Sequence, residues 1–295
     1  MPEESNAPAS LKYRIELCVV KFAFWFFKRL GRRRAARFGS WLARKVGPRL
    51  SVQKVADRNM QRSLPELSET DRRQALERMW DNLGRNIAEL PFNADLDFNA
   101  DDVELVGRDI LDNEFGNGKP AFFLTGHYGP WELIAHVGDY LNCPTTIVYR
   151  AANNPLVDQY FQRERSSKGY SFVPKGVRGA RGILKAIKKG EIITLLNDQK
   201  QNTGLPIPFF GRDAMTAPNI AELACKYELP IYPIRAERLE NGKIRVTVSE
   251  AITPPSTGDR KQDIFDLLVR INEVYEEWIR ARPDHWFWVH NRWPE

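Results

Sequence analysis

Cysteine and histidine are scarce in this chain, and long apolar runs are missing. The three cysteines among 295 residues, Cys18, Cys143 and Cys225, stand far apart. An odd, sparse count argues against a disulfide framework and for a reducing compartment. Four histidines with no Cys/His cluster offer no zinc-type spacing, so neither a metal site nor a cofactor is expected. There is no internal repeat and no low-complexity tract. The most apolar stretch, Leu17 to Phe27, is broken by Lys21 and falls short of the ~20 residues that an ordinary membrane span requires. The opening Met1-Pro-Glu-Glu lacks the positive n-region of a secretory signal, and no small-residue cleavage site follows the aromatic run. A retained segment is therefore expected there.

Acidic residues are also missing from one long stretch. Between Leu17 and Ala56 there are eleven Lys or Arg and no Asp or Glu. The whole chain is +6, so everything outside that stretch is net acidic. A basic block can be a solvated face, a nucleic-acid patch or a contact with anionic lipid. Its neighbours distinguish these: Phe22, Phe24, Trp25, Phe26 and Phe27 precede Arg32-Arg33-Arg34. Aromatics followed by arginines suit a lipid interface better than a phosphate backbone. Nucleic-acid binding would need basic residues spread over the folded domain, and is not expected. Arg14, Lys21 and Lys28 are seven apart and share one helical stripe. That pattern predicts a helix lying in the interface with its basic stripe toward headgroups, with a tilted span or a buried amphipathic first helix as alternatives.

With 42% hydrophobic residues the chain is long and apolar enough for a substantial core. Helical patterns cover 32–46, 52–62, 71–90 and 101–113. Short apolar strands at 121–124, 145–149, 191–196, 231–235 and 244–248 then alternate with helices at 131–140, 155–166, 179–188 and 218–227. The pattern closes with a long amphipathic helix over 259–282. Such alternation predicts an α/β fold: a mostly parallel, twisted sheet with helices on both faces, preceded by an N-terminal helical membrane-contacting region. The expected organisation is basic aromatic anchor helices over 1–50, a helical region packed on the core over 51–99, and the α/β domain over 100–295.

The densest chemistry lies in Ala121-Phe-Phe-Leu-Thr-Gly-His127-Tyr-Gly-Pro-Trp-Glu132. It reads as a buried strand, a sharp turn at Gly129-Pro130 and a helix start. His127 then sits where a strand stops and Glu132 in the first helical turn, both at the carboxyl edge where α/β sheets bind ligands. A histidine can take a proton from a hydroxyl at neutral pH, and a neighbouring carboxylate can fix its tautomer and balance its charge. The alternative is a capping glutamate and a turn histidine bonded to backbone. Arg150 and Asp198 also follow apolar strands. Arg150 could bind a phosphate or a thioester oxygen, or be a solvated strand end. Asp198 could position His127, a sugar or an arginine, or close a turn. Arg178 and Arg181 lie in a Gly-rich run before a helix, which can cradle phosphates or be a solvated loop. Trp286, Trp288 and Trp293 read as packing, and His136, His285 and His290 as structural.

Taken in order, several blocks resemble one family. They are Arg58-Asn59-Met60 with Leu64-Pro65, Asn82 through Glu89, His127 through Glu132, Val148-Tyr149-Arg150 with Asn154-Pro155, and Asn197-Asp198-Gln199. Phe209-Phe210-Gly211, Thr216-Ala217 and Trp286 through Trp293 complete the series. Their order and spacing are similar to the bacterial lipid A biosynthesis (lauroyl/myristoyl) acyltransferases, within the lysophospholipid-type acyltransferases, over most of the chain. Lys200, and Pro218-Asn219 after Thr216-Ala217, depart from the usual pattern. The resemblance implies O-acyl transfer from an acyl carrier protein thioester to a hydroxyl of a glucosamine-based lipid A precursor, with His127 and Glu132 as the catalytic pair. From their own positions at strand ends and in the Gly-rich run, Arg150, Asp198, Arg178 and Arg181 are the candidate substrate or oxyanion contacts. Together with the N-terminal segment, the resemblance implies attachment to an anionic surface, the cytoplasmic face of the inner membrane. The alternatives are an acyltransferase for another phospholipid or glycolipid, and a non-catalytic peripheral membrane binding protein.

Overall fold

The protein is described by a computed structural model covering residues 10–98, 103–115, 118–165 and 170–293, with the side chains of Ala94, Asp139, Arg165, Val177 and Arg178 outside that description. It begins with four helices: α1 (Leu11–Leu30), α2 (Arg32–Val46), α3 (Val52–Ser63) and α4 (Glu69–Glu89). The Ser10 hydroxyl caps α1 by accepting from the Tyr13 amide, and Ser68 caps α4 by accepting from Asp71. Between α1 and α2 the chain turns at Gly31, whose φ of 75° a side chain would strain. The helices α2 and α4 cross at Gly39 and Gly84. A Cβ on either glycine would lie 2.2 Å from the other's carbonyl oxygen, so the contact depends on the missing side chains. From the far face of α4, Asn86 donates to the Gly129 carbonyl at 2.5 Å, and Glu89 pairs with Arg238.

The α/β part follows as β1 (Val103–Val106), α5 (Arg108–Glu114), β2 (Ala121–Thr125), a 3-10 turn over Trp131–His136, α6 (Val137–Leu141) and β3 (Thr145–Tyr149). It continues through α7 (Pro155–Arg165), β4 (Ser171–Pro174), α8 (Val177–Lys188), β5 (Ile192–Leu196), β6 (Leu205–Phe209) and β7 (Arg212–Thr216). It ends with α9 (Asn219–Tyr227), β8 (Ile231–Arg238), β9 (Ile244–Val248) and α10 (Arg260–Ala281). Seven strands form one sheet in the order β1-β9-β8-β2-β5-β3-β4. All its pairs are parallel except β8 with β9. The alternation of β2 shows how the sheet is covered. Phe122 and Leu124 enter a core with Leu267 and Ile271 of α10, and Ala121 and Phe123 enter a second core with Leu111, Leu133 and Val137.

Two stretches differ from the sequence reading. The segment read as one helix over 101–113 is a strand and a helix: Val103–Val106 pairs with β9, Gly107 adopts φ 79°, and α5 begins only at Arg108. A left-handed glycine is incompatible with a continuous helix, and residues 101–102 lie outside the described chain. The hairpin β6–β7 was not foreseen, because Pro206 and Pro208 argue against a strand. It forms as a separate two-stranded ribbon, where no central-sheet donor is lost.

The first helix also differs from its expected orientation. Phe24 is buried against Tyr160 and Phe161 of α7, Lys28 pairs with Glu164 at 3.2 Å, and Lys21 lies over the Tyr160 ring. Two members of the basic stripe thus lean on α7. The face left outward is apolar: Leu11, Ile15, Val19, Phe22 and Trp25, continued on α2 by Phe38, Trp41, Leu42 and Val46. Among the described residues, no helix is long and apolar enough to cross a membrane.

Candidate active site

Parallel register brings the site together. Thr125, the last residue of β2, pairs with Leu196, the last residue of β5. His127 and Asp198 each lie two residues beyond those ends, so they emerge side by side from neighbouring strands. The backbone is tied there by Tyr275 of α10, whose hydroxyl donates to the Thr125 carbonyl at 2.7 Å and accepts from the Asn197 amide at 3.4 Å. Gly126 permits the approach, since a Cβ there would sit 3.2 Å from the Asp198 carboxyl carbon.

Asp198 is fully buried and holds His127 at two points. One carboxylate oxygen lies 2.9 Å from His127 Nδ1, and the other accepts the His127 backbone N–H at 2.8 Å. The Trp286 indole donates to the second oxygen at 2.9 Å. Burial alone would raise the Asp198 carboxyl. The His127 ring and these donors outweigh it and hold the group well below the usual carboxylate range, so it stays ionised. A carboxylate only accepts, so neutral His127 carries its proton on Nδ1 and turns the lone pair of Nε2 outward.

The far side is closed by the C-terminal segment. Trp286 forms a bridge to Tyr128, and the Phe287 amide donates to the His127 carbonyl at 2.9 Å. This places His290 beside His127, ring centroids 5.3 Å apart. Burial pushes the His290 imidazole down to about 4, with His127 and Lys175 adding to the effect and Asp198 opposing it, so His290 is neutral at pH 7. The segment is itself anchored by Asn59, which donates to the Trp288 and His290 carbonyls. Buried Arg292 anchors it further, donating to the Met215 carbonyl and the Thr216 hydroxyl at 2.7 Å each.

A cavity of about 780 Å³ opens beside this pair, within the ~300–1,000 Å³ range of small-molecule sites. Its body is apolar, built from Phe122, Val148, Ile183, Leu184, Ile220 and Leu223. Arg150, Lys175, Gln199 and Lys200 supply polar groups. Arg150 follows β3 and Lys175 follows β4, so both stand on the same carboxyl edge as His127. Desolvation lowers the Lys175 ammonium, Asp198 opposes this and Arg150 adds to it.

Glu132 and Arg181, two other sequence candidates, are not among the residues lining this cavity. Glu132 is half-buried and lines, with His136, two small cavities of about 30 Å³ each. One is shared with Phe24 and Phe161, the other with Ile147 and Tyr170. The Nδ1 partner of His127 is Asp198. Arg181 is exposed on α8 and is not among the residues lining the large cavity, and the Arg178 side chain lies outside the described residues. Sequence reasoning gave no role of its own to Gln199, although it follows a strand end, and read His290 as structural. Among the described residues, no group of three or more His, Cys, Asp or Glu is arranged to hold a metal ion.

The family model for bacterial lipid A biosynthesis acyltransferases matches residues 2–295. The chain is also similar to the lipid A biosynthesis lauroyltransferase of Escherichia coli (strain K12), 26% identical over 247 residues, which are 81% of this chain and 78% of that protein.

Proposed function

Because the chain belongs to the bacterial lipid A biosynthesis acyltransferase family, and is thus an acyltransferase of lipid A biosynthesis, we propose that it moves a fatty acyl chain from an acyl carrier protein thioester to a hydroxyl of a lipid A precursor. The observation that carries this reading is the His127–Asp198 pair beside a cavity of about 780 Å³ with an apolar body, lined also by Arg150, Lys175 and Lys200.

His127 Nε2 takes the proton of the acceptor hydroxyl as its oxygen attacks the thioester carbonyl. Asp198 holds the tautomer and stabilises the imidazolium. The C–S bond then breaks, and the thiolate takes the proton back from His127. Arg150 and Lys175 stand where charge develops on the carbonyl oxygen or where an acceptor phosphate binds. The acyl chain fills the cavity, each buried methylene contributing ~0.8 kcal/mol. Glu132, expected as the partner of His127, stands in the neighbouring 3-10 turn next to Trp131, whose ring lies 5.3 Å from that of His127.

The outward apolar face of α1 and α2 docks the enzyme on an anionic leaflet, where its lipid acceptor resides, with the surrounding arginines at headgroup level. The inner membrane's cytoplasmic face fits this arrangement and gives access to an acidic carrier protein. The test is acyl transfer by purified protein from acyl carrier protein to a lipid A precursor in anionic vesicles, followed by mass spectrometry. A gain of one acyl chain, absent with His127→Ala, supports the reading. Transfer at the parent rate by folded His127→Ala refutes the mechanism.

A further inference from the structure

A second stretch of the chain holds basic residues and no acid. Between Lys175 and Lys189 there are six Lys or Arg and no Asp or Glu. Helix α8 sorts most of this stretch by side. Ala186 and Ile187 enter the core with Phe122, Ile183 and Leu184 form a wall of the 780 Å³ cavity, and Arg181, Lys185 and Lys188 are exposed. Spacings of four and three place these cations on one face, in a row about 10 Å long. Among the described residues, none of the three has an ion-pair partner, whereas the neighbouring Lys189 pairs with Glu191 at 3.5 Å.

The row borders the opening of the cavity. Its exposed lining residues include Lys175, Gly176 and Ala180 at the start of α8, and Asn219, Glu222 and Lys226 on α9, so the cavity opens between these two helices. Ala180 at that rim is followed by Arg181, the first cation of the row. The surroundings differ from the outward face of α1 and α2. Among the described residues, none of the exposed large apolar side chains lies on α8. An interfacial helix needs apolar side chains to bury, so a cationic face without them suits a hydrophilic, acidic partner. The two surfaces also belong to opposite sides of the sheet. Helix α1 leans on α7, whose Phe161 and Glu164 meet Glu132 and His136 of the 3-10 turn, and Leu133 of that turn lies in the core across the sheet from α8. A protein can therefore seat on α8 while α1 and α2 rest on a membrane.

We propose that Arg181, Lys185 and Lys188 form the docking surface for the acidic carrier protein that brings the acyl thioester. This rests on the acyl-transfer reading above. Opposite charges seat the carrier against α8, and its acylated arm passes between α8 and α9 into the cavity. The row acts on the encounter and leaves the chemistry alone, so its effect appears in the KM for the carrier and is screened by salt.

The experiment uses the full chain, a detergent-dispersed lipid A precursor, and two donors with the same acyl group. One is the acylated carrier protein. The other is acyl pantetheine, which has the thioester and its arm but no protein and no charge. The double change Lys185→Glu, Lys188→Glu is compared with Lys54→Glu, Lys243→Glu, which alters net charge equally at exposed lysines on α3 and between β8 and β9. The row variant is expected to raise the KM for the carrier protein about tenfold at low salt, with kcat retained and turnover of acyl pantetheine unchanged, as lost electrostatic steering requires. Added salt should bring the parent's KM toward that of the variant. If the charge-reversed pair does not fold, Lys185→Ala with Lys188→Ala makes the same comparison with a smaller rise. An unchanged KM for the carrier, an equal loss with both donors, or the same rise in the control pair overturns the docking surface. A raised KM for the lipid acceptor alone also overturns it, and makes the row a phosphate contact. Absence of transfer by the parent protein from either donor overturns the acyl-transfer reading first, and the docking with it.

Discussion

The two ends of this chain use apolar residues in opposite ways. Among the described residues, ten of the fifteen large apolar side chains left exposed fall between Leu11 and Leu50. In the sheet the arrangement is reversed: every residue of β2 is buried, and polar groups collect at one edge, in the turns after the strands. A soluble domain gains by hiding its apolar surface, so an outward aromatic face beside buried cores marks a surface shaped for another medium. In the proposed function the N-terminal helices and the carboxyl edge divide the work, attachment in one and chemistry in the other. That division can be broken one side at a time.

The largest effect is expected from His127→Ala, which should lower acyl transfer by ~100- to 10,000-fold while leaving vesicle binding unchanged, as measured by turnover and flotation in parallel. Asp198→Asn should come next, since an amide can hold the ring in the wrong tautomer. Glu132→Gln should lose much less, and a larger loss there than at Asp198 would reverse the assignment of the orienting carboxylate. On the opposite side, the double change Phe22→Glu, Trp25→Glu should release the protein from anionic vesicles yet preserve turnover on detergent-dispersed acceptor. High salt alone should weaken attachment only in part, because screening leaves the apolar share intact. If the double variant stays bound, the outward face is not the docking surface.

Stability gives a finer contrast. Arg292→Met leaves the Met215 carbonyl and Thr216 hydroxyl without their donor, and unmet buried groups cost about 1–3 kcal/mol each. It should lower the midpoint of thermal unfolding, and unfreeze the C-terminal segment before α1. The smallest effect concerns pH. His290 has its folded value depressed to about 4 from 6.5, so its contribution is fully present above 6.5 and is lost as pH falls toward 4. His290→Gln should flatten the loss of thermal stability across that window.

The sequence made the strand-and-helix alternation legible, because buried parallel strands are short apolar runs and amphipathic helices repeat on another period. His127 and Asp198 were each legible as residues past a strand end. Their adjacency was not, since it depends on β2 lying next to β5, an order that no local pattern encodes. Glu132 drew attention through its nearness in sequence, whereas the carboxylate on Nδ1 comes from a different strand. His290 stayed silent for the same reason, since it stands beside His127 only through the C-terminal bridge to Tyr128. The basic stripe of α1 was real in spacing, but its Lys28 found Glu164 on α7, a long-range pairing that periodicity does not reveal.

The crossing of Gly39 with Gly84 has a consequence for working distance. Because α2 and α4 touch backbone to backbone, the outward face of α2 cannot roll relative to α4, and α4 is fastened to the Gly129 turn two residues from His127. Under the proposed docking, the molecule is an instrument on a fixed stand, with His127 Nε2 at one set height and tilt above the plane on which the aromatic face rests. A methyl group added at Gly39 or Gly84 leaves the side chains of that face and of the site chemically intact. The docking proposal then predicts a tool held at the wrong angle, so that a vesicle-bound variant reaches its acceptor less often.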